Sequence, residues 1–334
     1  MSIGAQFYVT TILVYIGIDI IACLGLNLQF GVAGIINFAF IAFQAIGAYT
    51  AAVLALGPPF PGDFQHYVGF GPLPFPLPIL IAGVVGGIAS LVIGVICLRK
   101  LRSDYQAMVF LVVSLIATTV ATNTNLVGGA AGLSTVPKPL YSNLGLTLVG
   151  YQWFYAVLTG VFAIAVWLAV RRITSSPLGR ALRAVRDNEH SAQAIGKNVQ
   201  ALRLSAFIIG GVIAAISGAL LVLFISAWAP PGWLYPETFV YFTAVIVGGS
   251  GNNLGVAVGA MLVPVLFLEG ARFLPTVVNP TFIDGMQWVA IGALSLAFLW
   301  FRPIGIFPEQ ARGPLTDRRG GQIERVRALL VRAR

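Results

Sequence analysis

From Phe7 to Phe301 the chain is a succession of apolar runs separated by short breaks, and charged positions almost never interrupt the runs. A run of about 20 apolar residues crosses the hydrocarbon of a bilayer as a helix. The runs Phe7–Leu28, Ile36–Leu56, Ile79–Leu98, Tyr105–Ala121, Phe154–Val170, Leu204–Ser226, Leu254–Leu268 and Met286–Phe301 reach or approach that length. Phe239–Val247 holds only nine apolar residues, about 14 Å as helix, too short to cross comfortably. The pattern predicts an all-α polytopic membrane protein with about eight long transmembrane helices plus a short broken or re-entrant segment.

Composition agrees with the pattern. Of 334 residues, 58% are hydrophobic and only 9% are charged, against about 25% charged in soluble domains. The net charge of +9 raises the question of a nucleic-acid partner, but its distribution points elsewhere. Eighteen of the twenty Lys and Arg residues fall within Arg99–Arg102, Arg171–Arg203 and Arg302–Arg334. Basic residues gathered in alternate loops follow the positive-inside rule, so these three regions are expected in the cytoplasm. The expected organisation is one membrane domain over 1–308, carrying a cytoplasmic loop at about 171–204, and a basic cytoplasmic tail at 309–334. The amino terminus lacks the basic region of a cleavable signal peptide. Cys23 and Cys97 sit inside apolar runs and read as small buried hydrophobes.

Glycine and amides break the helical pattern twice, from Asn27 to Asn37 and from Gly248 to Asn253. Transporters use paired interruptions of this kind because unwound backbone supplies hydrogen-bonding groups at membrane depth. Candidates for a translocation path are therefore Asn27, Gln29, Gly31, Gly34, Asn37, Gln44, Thr243, Gly248, Gly249, Ser250, Gly251 and Asn252, with Asn253 beside them. Equally, such amides can bond neighbouring helices and serve as packing glue. Asp19 is an isolated carboxylate in an apolar run, a functional candidate by its cost and otherwise a group bonded locally. The spacings Gly210-x-x-x-Ala214-x-x-x-Gly218 and Gly255-x-x-x-Gly259 read as close helix packing.

In the largest basic loop, Ser176 before Pro177 supplies an N-cap and a first-turn proline, and Gly196 a terminator. Leu178, Leu182, Val185, Ala192 and Ile195 form an apolar stripe, and Arg180, Arg183, Asp187 and His190 another face. This is an amphipathic element of about 18 residues. Its stripe is expected to dock a soluble partner or, alternatively, to lie on lipid. No G-x-x-x-x-G-K-[ST] phosphate loop occurs, nor H-E-x-x-H or G-x-S-x-G, and His66 and His190 fall on opposite sides of the membrane. The residues leave open two classes: a subunit of a larger machine, or a self-sufficient channel or carrier for a small neutral solute.

Several segments, in order, resemble the branched-chain amino-acid ABC permease family, particularly its LivM-like branch. They are Gly25-Leu26-Asn27-Leu28 with Gly31 and Gly34, Gly47-Ala48-Tyr49, Leu101-Arg102-Ser103-Asp104-Tyr105 and Gly128-Gly129-Ala130-Ala131-Gly132-Leu133. Further on come Ser176-Pro177-Leu178-Gly179-Arg180-Ala181-Leu182-Arg183-Ala184-Val185-Arg186, Val247-Gly248-Gly249-Ser250-Gly251 and Arg302-Pro303-Ile304-Gly305-Ile306-Phe307. The resemblance implies a permease paired with a LivH-like second permease, two cytoplasmic ATPase subunits and an extracytoplasmic solute-binding protein, in a bacterial plasma or inner membrane. ATP would be used by the partner subunits, with no cofactor on this chain, no metal, no catalytic residue and no nucleic acid. The small-molecule substrate would be a branched-chain or related amino acid. It further implies that Leu178, Gly179, Arg180, Leu182, Arg183, Asp187, Glu189, Ala192 and Gly196 contact an ATPase, as does the E-A-A-x-x-x-G loop of importers. Ala192 and Gly196 fit that spacing, with His190 at the glutamate position and Glu189 one place earlier. Asn37-Phe38-Ala39-Phe40 departs from the more polar, His-containing version of the family. Urea and short amides are carried by similar permeases, so they stay open as substrates.

Overall fold

The computed structural model describes residues 3–59, 65–69, 71–98, 103–141, 145–269 and 280–309. The basic stretch 99–102, Arg272 and the tail beyond Glu309 lie outside the described residues. Within them every regular element is helical. α1 (Ile3–Asn27) widens into a π-helical turn at Leu28–Val32, and residues 33–39 leave the helix before α2 (Phe40–Leu56). α3 (Leu77–Leu98) and α4 (Ser103–Asn123) follow, then α5 (Leu148–Ser175), capped by the Thr147 side chain. The amphipathic element is two helices, α6 (Pro177–Asp187) and α7 (Glu189–Ala194), leading into α8 (Val199–Ile225). α9 (Pro236–Gly248) and α10 (Asn253–Ala260) flank the second break, and α10 passes into a π-helix, Met261–Glu269, containing Pro264. α11 (Pro280–Phe301) is the last helix among the described residues.

Among the described residues, five helices are long and apolar enough to cross a membrane: Gly4–Val32, Leu77–Leu98, Tyr105–Asn123, Leu148–Ser175 and Val199–Ile225. The remaining expected spans correspond to shorter apolar helices, Phe40–Leu56, Asn253–Val265 and Gly285–Phe301. In the first of these, residues 33–39 are spent on the break rather than on the helix. α9 runs for 13 residues, about 20 Å, longer than the apolar run alone suggests because Pro236 and Glu237 open its first turn.

α8 is the axis of the bundle and packs on α1, α2 and α3. Two glycines make that approach possible. A Cβ on Gly47 would overlap the Ala215 backbone, and one on Gly218 would overlap the Gln44 carbonyl. Membrane helices gain little from hydrophobic driving force against each other, so this close contact is where their association energy arises. The Gly210–Gly218 and Gly255–Gly259 spacings serve packing as expected: Gly210 abuts the Gln29 side chain and Gly259 the Ala244 carbonyl. Outward faces of α3, α4, α5 and α11 carry exposed Leu80, Ile96, Met108, Val157 and Trp300, the surface a lipid-embedded protein presents.

Gly47→Ala and Gly218→Ala are expected to lower the denaturation midpoint of the purified chain in detergent, by about 1–3 kcal/mol each. Gly160→Ala, where a Cβ meets nothing within 4 Å, is the control. Equal behaviour of the three variants in a detergent unfolding series would contradict the packing argument.

Candidate functional site

The unwound backbone of the first break finds its partners within the break and at Arg186, while the first break's Asn27 side chain supplies a partner for the backbone of the second. The Asn27 carboxamide sits between them: its Nδ2 donates to Asn253 Oδ1 at 3.0 Å, and its Oδ1 accepts from the Gly251 N–H at 2.8 Å. Gly31 lies so close beneath that a Cβ there would overlap both Asn27 Oδ1 and the Gly251 nitrogen. Asn252 Oδ1 caps α10 by accepting from the Leu254 and Gly255 N–H groups, while its Nδ2 donates to the Pro308 carbonyl at 2.9 Å. Gly249 holds φ +112°, and a Cβ would run into the Phe307 carbonyl. The Ile306 and Phe307 N–H groups bond the Val247 and Gly248 carbonyls that α9 leaves free at its end. Ser250 is half-buried in the turn.

The same cluster takes in α6. Arg186 donates from Nη1 to the Gly31 carbonyl and from Nη2 to Glu309 Oε2 at 2.8 Å. Arg183 donates from Nη2 to the Thr174 carbonyl at 2.7 Å, and its Nε lies 3.0 Å from Glu309 Oε1. Asn253 Nδ2 reaches Thr174 Oγ1 at 3.3 Å. Beside these groups lies a polar cavity of about 240 Å³, lined by Arg171, Arg183, Gly251, Asn252, Asn253 and Glu309 among others. Both breaks and the amphipathic element therefore meet at one end of the bundle.

The remaining path candidates lie apart, buried among α1, α2, α8 and α9. Gln29 Nε2 donates to the Phe207 carbonyl at 2.8 Å, and Asn37 Nδ2 to Gln29 Oε1 at 2.9 Å. Thr243 Oγ1 donates to the Phe239 carbonyl at 2.7 Å and meets Ser295 Oγ at 2.5 Å. Gln44 donates to the Tyr241 hydroxyl at 3.2 Å, leaving its buried Oε1 without a partner. The bonds to Phe207, Tyr241 and Ser295 tie element to element, as packing amides do. Asp19 is half-buried on α1 and has the Tyr241 hydroxyl and the Glu237 carboxyl as neighbours across on α9.

Ser176 caps α6 through its side chain, as its sequence context predicts, and Gly196 ends α7 at φ +78°. Asn188 interrupts the element in the middle, its side chain capping α7 at Ser191 N. The stripe corrects the sequence expectation. Leu182 and Val185 are buried, as is Ala192, and all three pack inward on the chain's own helices, whereas Ile195 is 71% exposed. Leu178 is half-buried, and Gly179 fits against the Thr174 carbonyl. Arg180, Asp187 and His190 face outward, but Arg183 turns inward to Glu309. Glu189 also points into the chain, where it pairs with Arg203 at 2.6 Å, and Arg203 donates to Gln106 Oε1 on α4 at 2.6 Å. Sequence reasoning misses Arg186, Thr174, Arg203, Gln106 and Glu309. The available signal was the three-residue spacing of Arg183 and Arg186, which places both on one face.

A family model described as branched-chain amino acid transport system / permease component matches residues 8–301. The chain is 30% identical over 340 residues to the probable branched-chain amino acid transport permease protein LivM of Methanocaldococcus jannaschii, covering 90% of this chain and 94% of that protein. It is 28% identical over 312 residues to the high-affinity branched-chain amino acid transport system permease protein LivM of Escherichia coli, covering 87% and 68%. To the probable LivH permease protein of Methanocaldococcus jannaschii it is 24% identical over 264 residues, covering 78% and 80%. No solved structure matches the chain.

Asn27→Leu should strand the Gly251 N–H and Asn253 carboxamide in the bundle, at about 1–3 kcal/mol for each group. Gly249→Val should add backbone strain and displace Phe307. Both variants are expected to insert normally yet denature earlier in detergent and expose a cysteine placed at Ser250 to labelling. Unchanged labelling of Ser250→Cys in both backgrounds would show that the two breaks are not held together by these contacts.

Proposed function

The chain belongs to the branched-chain amino acid transport permease family, and on that premise we propose that it is one membrane subunit of an ATP-driven, binding-protein-dependent importer. The family match over residues 8–301 carries the reading. The solute is a branched-chain or related amino acid, delivered by an extracytoplasmic binding protein. A related LivH-like permease completes the membrane pair, an arrangement favoured by the chain's similarity to relatives of both names. Two ATPase subunits on the cytoplasmic side supply the energy. The eight expected apolar segments lie in the plasma membrane, the inner one in bacteria, with α9 as the short broken segment.

Under this reading α6 and α7 are the element on which an ATPase presses. Their apolar stripe is spent on the chain's own core, so the surface offered to the ATPase is Arg180, Asp187, His190 and Ile195. Exposed ion pairs contribute only about 0–1 kcal/mol each, which leaves Ile195 as the apolar anchor. The path candidates of the two breaks, Gly31, Gly34 and Gly248–Asn252, lie at the cytoplasmic end of the solute's route. Gln29, Asn37, Gln44 and Thr243 shape the bundle above it.

In proteoliposomes holding both permeases and both ATPases, labelled leucine should accumulate only with ATP and binding protein present. Dissipating the proton gradient at fixed ATP should leave uptake unchanged. Uptake driven by a proton gradient without ATP would instead establish a carrier, with Asp19 its first suspect. Ile195→Asp should weaken recovery of the ATPase with the permease while the permease stays folded. Leu182→Asp should unfold the permease itself, since it buries a charge where Leu182 is fully enclosed. A folded Leu182→Asp permease that merely loses its ATPase would return the apolar stripe to the docking role.

A further inference from the structure

The coupling element has two anchors, and they lead to different parts of the bundle. On α7, Glu189 pairs with Arg203 at 2.6 Å, and Arg203 donates to Gln106. That anchor ends on α8 and α4, helices without a break. On α6, Arg186 bonds the Gly31 carbonyl of the first break and Glu309, whose segment lies on the second. Glu309 touches that second break directly, for a Cβ on Gly251 would meet its carboxylate within 2.8–3.1 Å.

Arg186 has little freedom to move without its surroundings. Its guanidinium uses Nη1 for Gly31, Nη2 for Glu309, and Nε for Asp187 on its own helix at 3.3 Å. The stem is enclosed too: Gly34 turns at φ +70°, and a Cβ there would come within 2.9 Å of Arg186 Cγ. The chain from Gly31 to Gly34 thus wraps the arginine. Directly beneath, Gly31 is in contact with Asn27 Oδ1 and the Gly251 nitrogen, so the two breaks are joined at that spot.

We infer that Arg186 is the positioning residue that passes movement of the coupling element to both broken segments, with Glu309 holding its guanidinium fork in register. The inference rests on the importer reading above. α7, tied to unbroken helices, is the pivot, and α6 is the lever. Displacement of α6 by the ATPase carries Gly31 through the Nη1 bond and carries Gly251 and Pro308 through Glu309 and Asn252. An arginine is required because a planar fork can serve two acceptors in different segments, whereas an ammonium is a point charge on a flexible stem.

The test uses the full transporter in proteoliposomes, comparing the parent with Arg186→Lys, Arg186→Met, Glu309→Gln and the outward-facing Arg172→Ala. The readout is solute moved per ATP hydrolysed, normalised to assembled complex. Arg186→Lys keeps the charge but cannot hold both acceptors, so its ratio should fall about tenfold, the consequence of losing one charge-assisted hydrogen bond. Arg186→Met should fall at least as far, Glu309→Gln should be intermediate, and Arg172→Ala should match the parent. ATP addition should change labelling of Ser250→Cys in the parent background and not in the Arg186→Met background. The inference is overturned if the Arg186 variants keep the parental ratio, including the case where less complex assembles but each complex works normally. A parent that shows no ATP-driven uptake sinks the importer reading, and the inference with it.

Discussion

A helix that unwinds inside an apolar bundle leaves backbone N–H and C=O groups with no water to take them, and each such group costs energy until it finds a partner. The structure depends on how that obligation is met at Asn27. Its carboxamide donates through one atom and accepts through another without carrying a charge. It uses both ends across the gap, to Asn253 Oδ1 and from Gly251 N. Satisfying the second break from the first turns two local defects into one joint. Neither break can then shift alone, because moving either reopens the hydrogen bonds of the other.

Much of the fold was legible in the sequence because its determinants are local. Apolar runs, the Ser176–Pro177 start and the Gly196 stop depend on neighbours a few residues away, and the helices formed near the expected places. The two glycine-rich breaks were likewise visible. What failed were readings that needed the third dimension. A stripe such as Leu182, Val185 and Ala192 shows that one face is apolar, and it does not say whether the chain's own core or a partner covers it. Here the core covers it. Likewise, the one-place offset of Glu189 from the importer pattern acquires a meaning once Arg203, 14 residues on, is seen beside it.

The charged residues show the same limit more sharply. Arg183 reads from the sequence as part of the polar face beside the apolar stripe, and Arg186 stands out by nothing local. Glu309 lies 123 residues beyond Arg186, in a segment that sequence reasoning assigned to a solvated tail. No periodicity relates the two. Gln29 and Thr243 were legible as a polar amide and hydroxyl, but their partners on other helices, Phe207 and Ser295, were not.

The inward commitment of the apolar stripe has a mechanical consequence. A lever must be stiff relative to the joint it moves and must not be welded to whatever pushes it. Burying Leu182 and Val185 against the chain's own helices supplies the stiffness, because a packed core resists small displacements. Under the importer reading proposed above, it also leaves a mostly polar contact for the ATPase, in which exposed charges orient more than they bind. Such a contact can change geometry during a cycle at little cost, whereas an apolar interface of the same area would resist sliding and separation. The strong interactions therefore sit between the coupling element and the broken helices, where force has to be transmitted. In the same reading, the weak ones sit toward the motor, where the contact has to adjust.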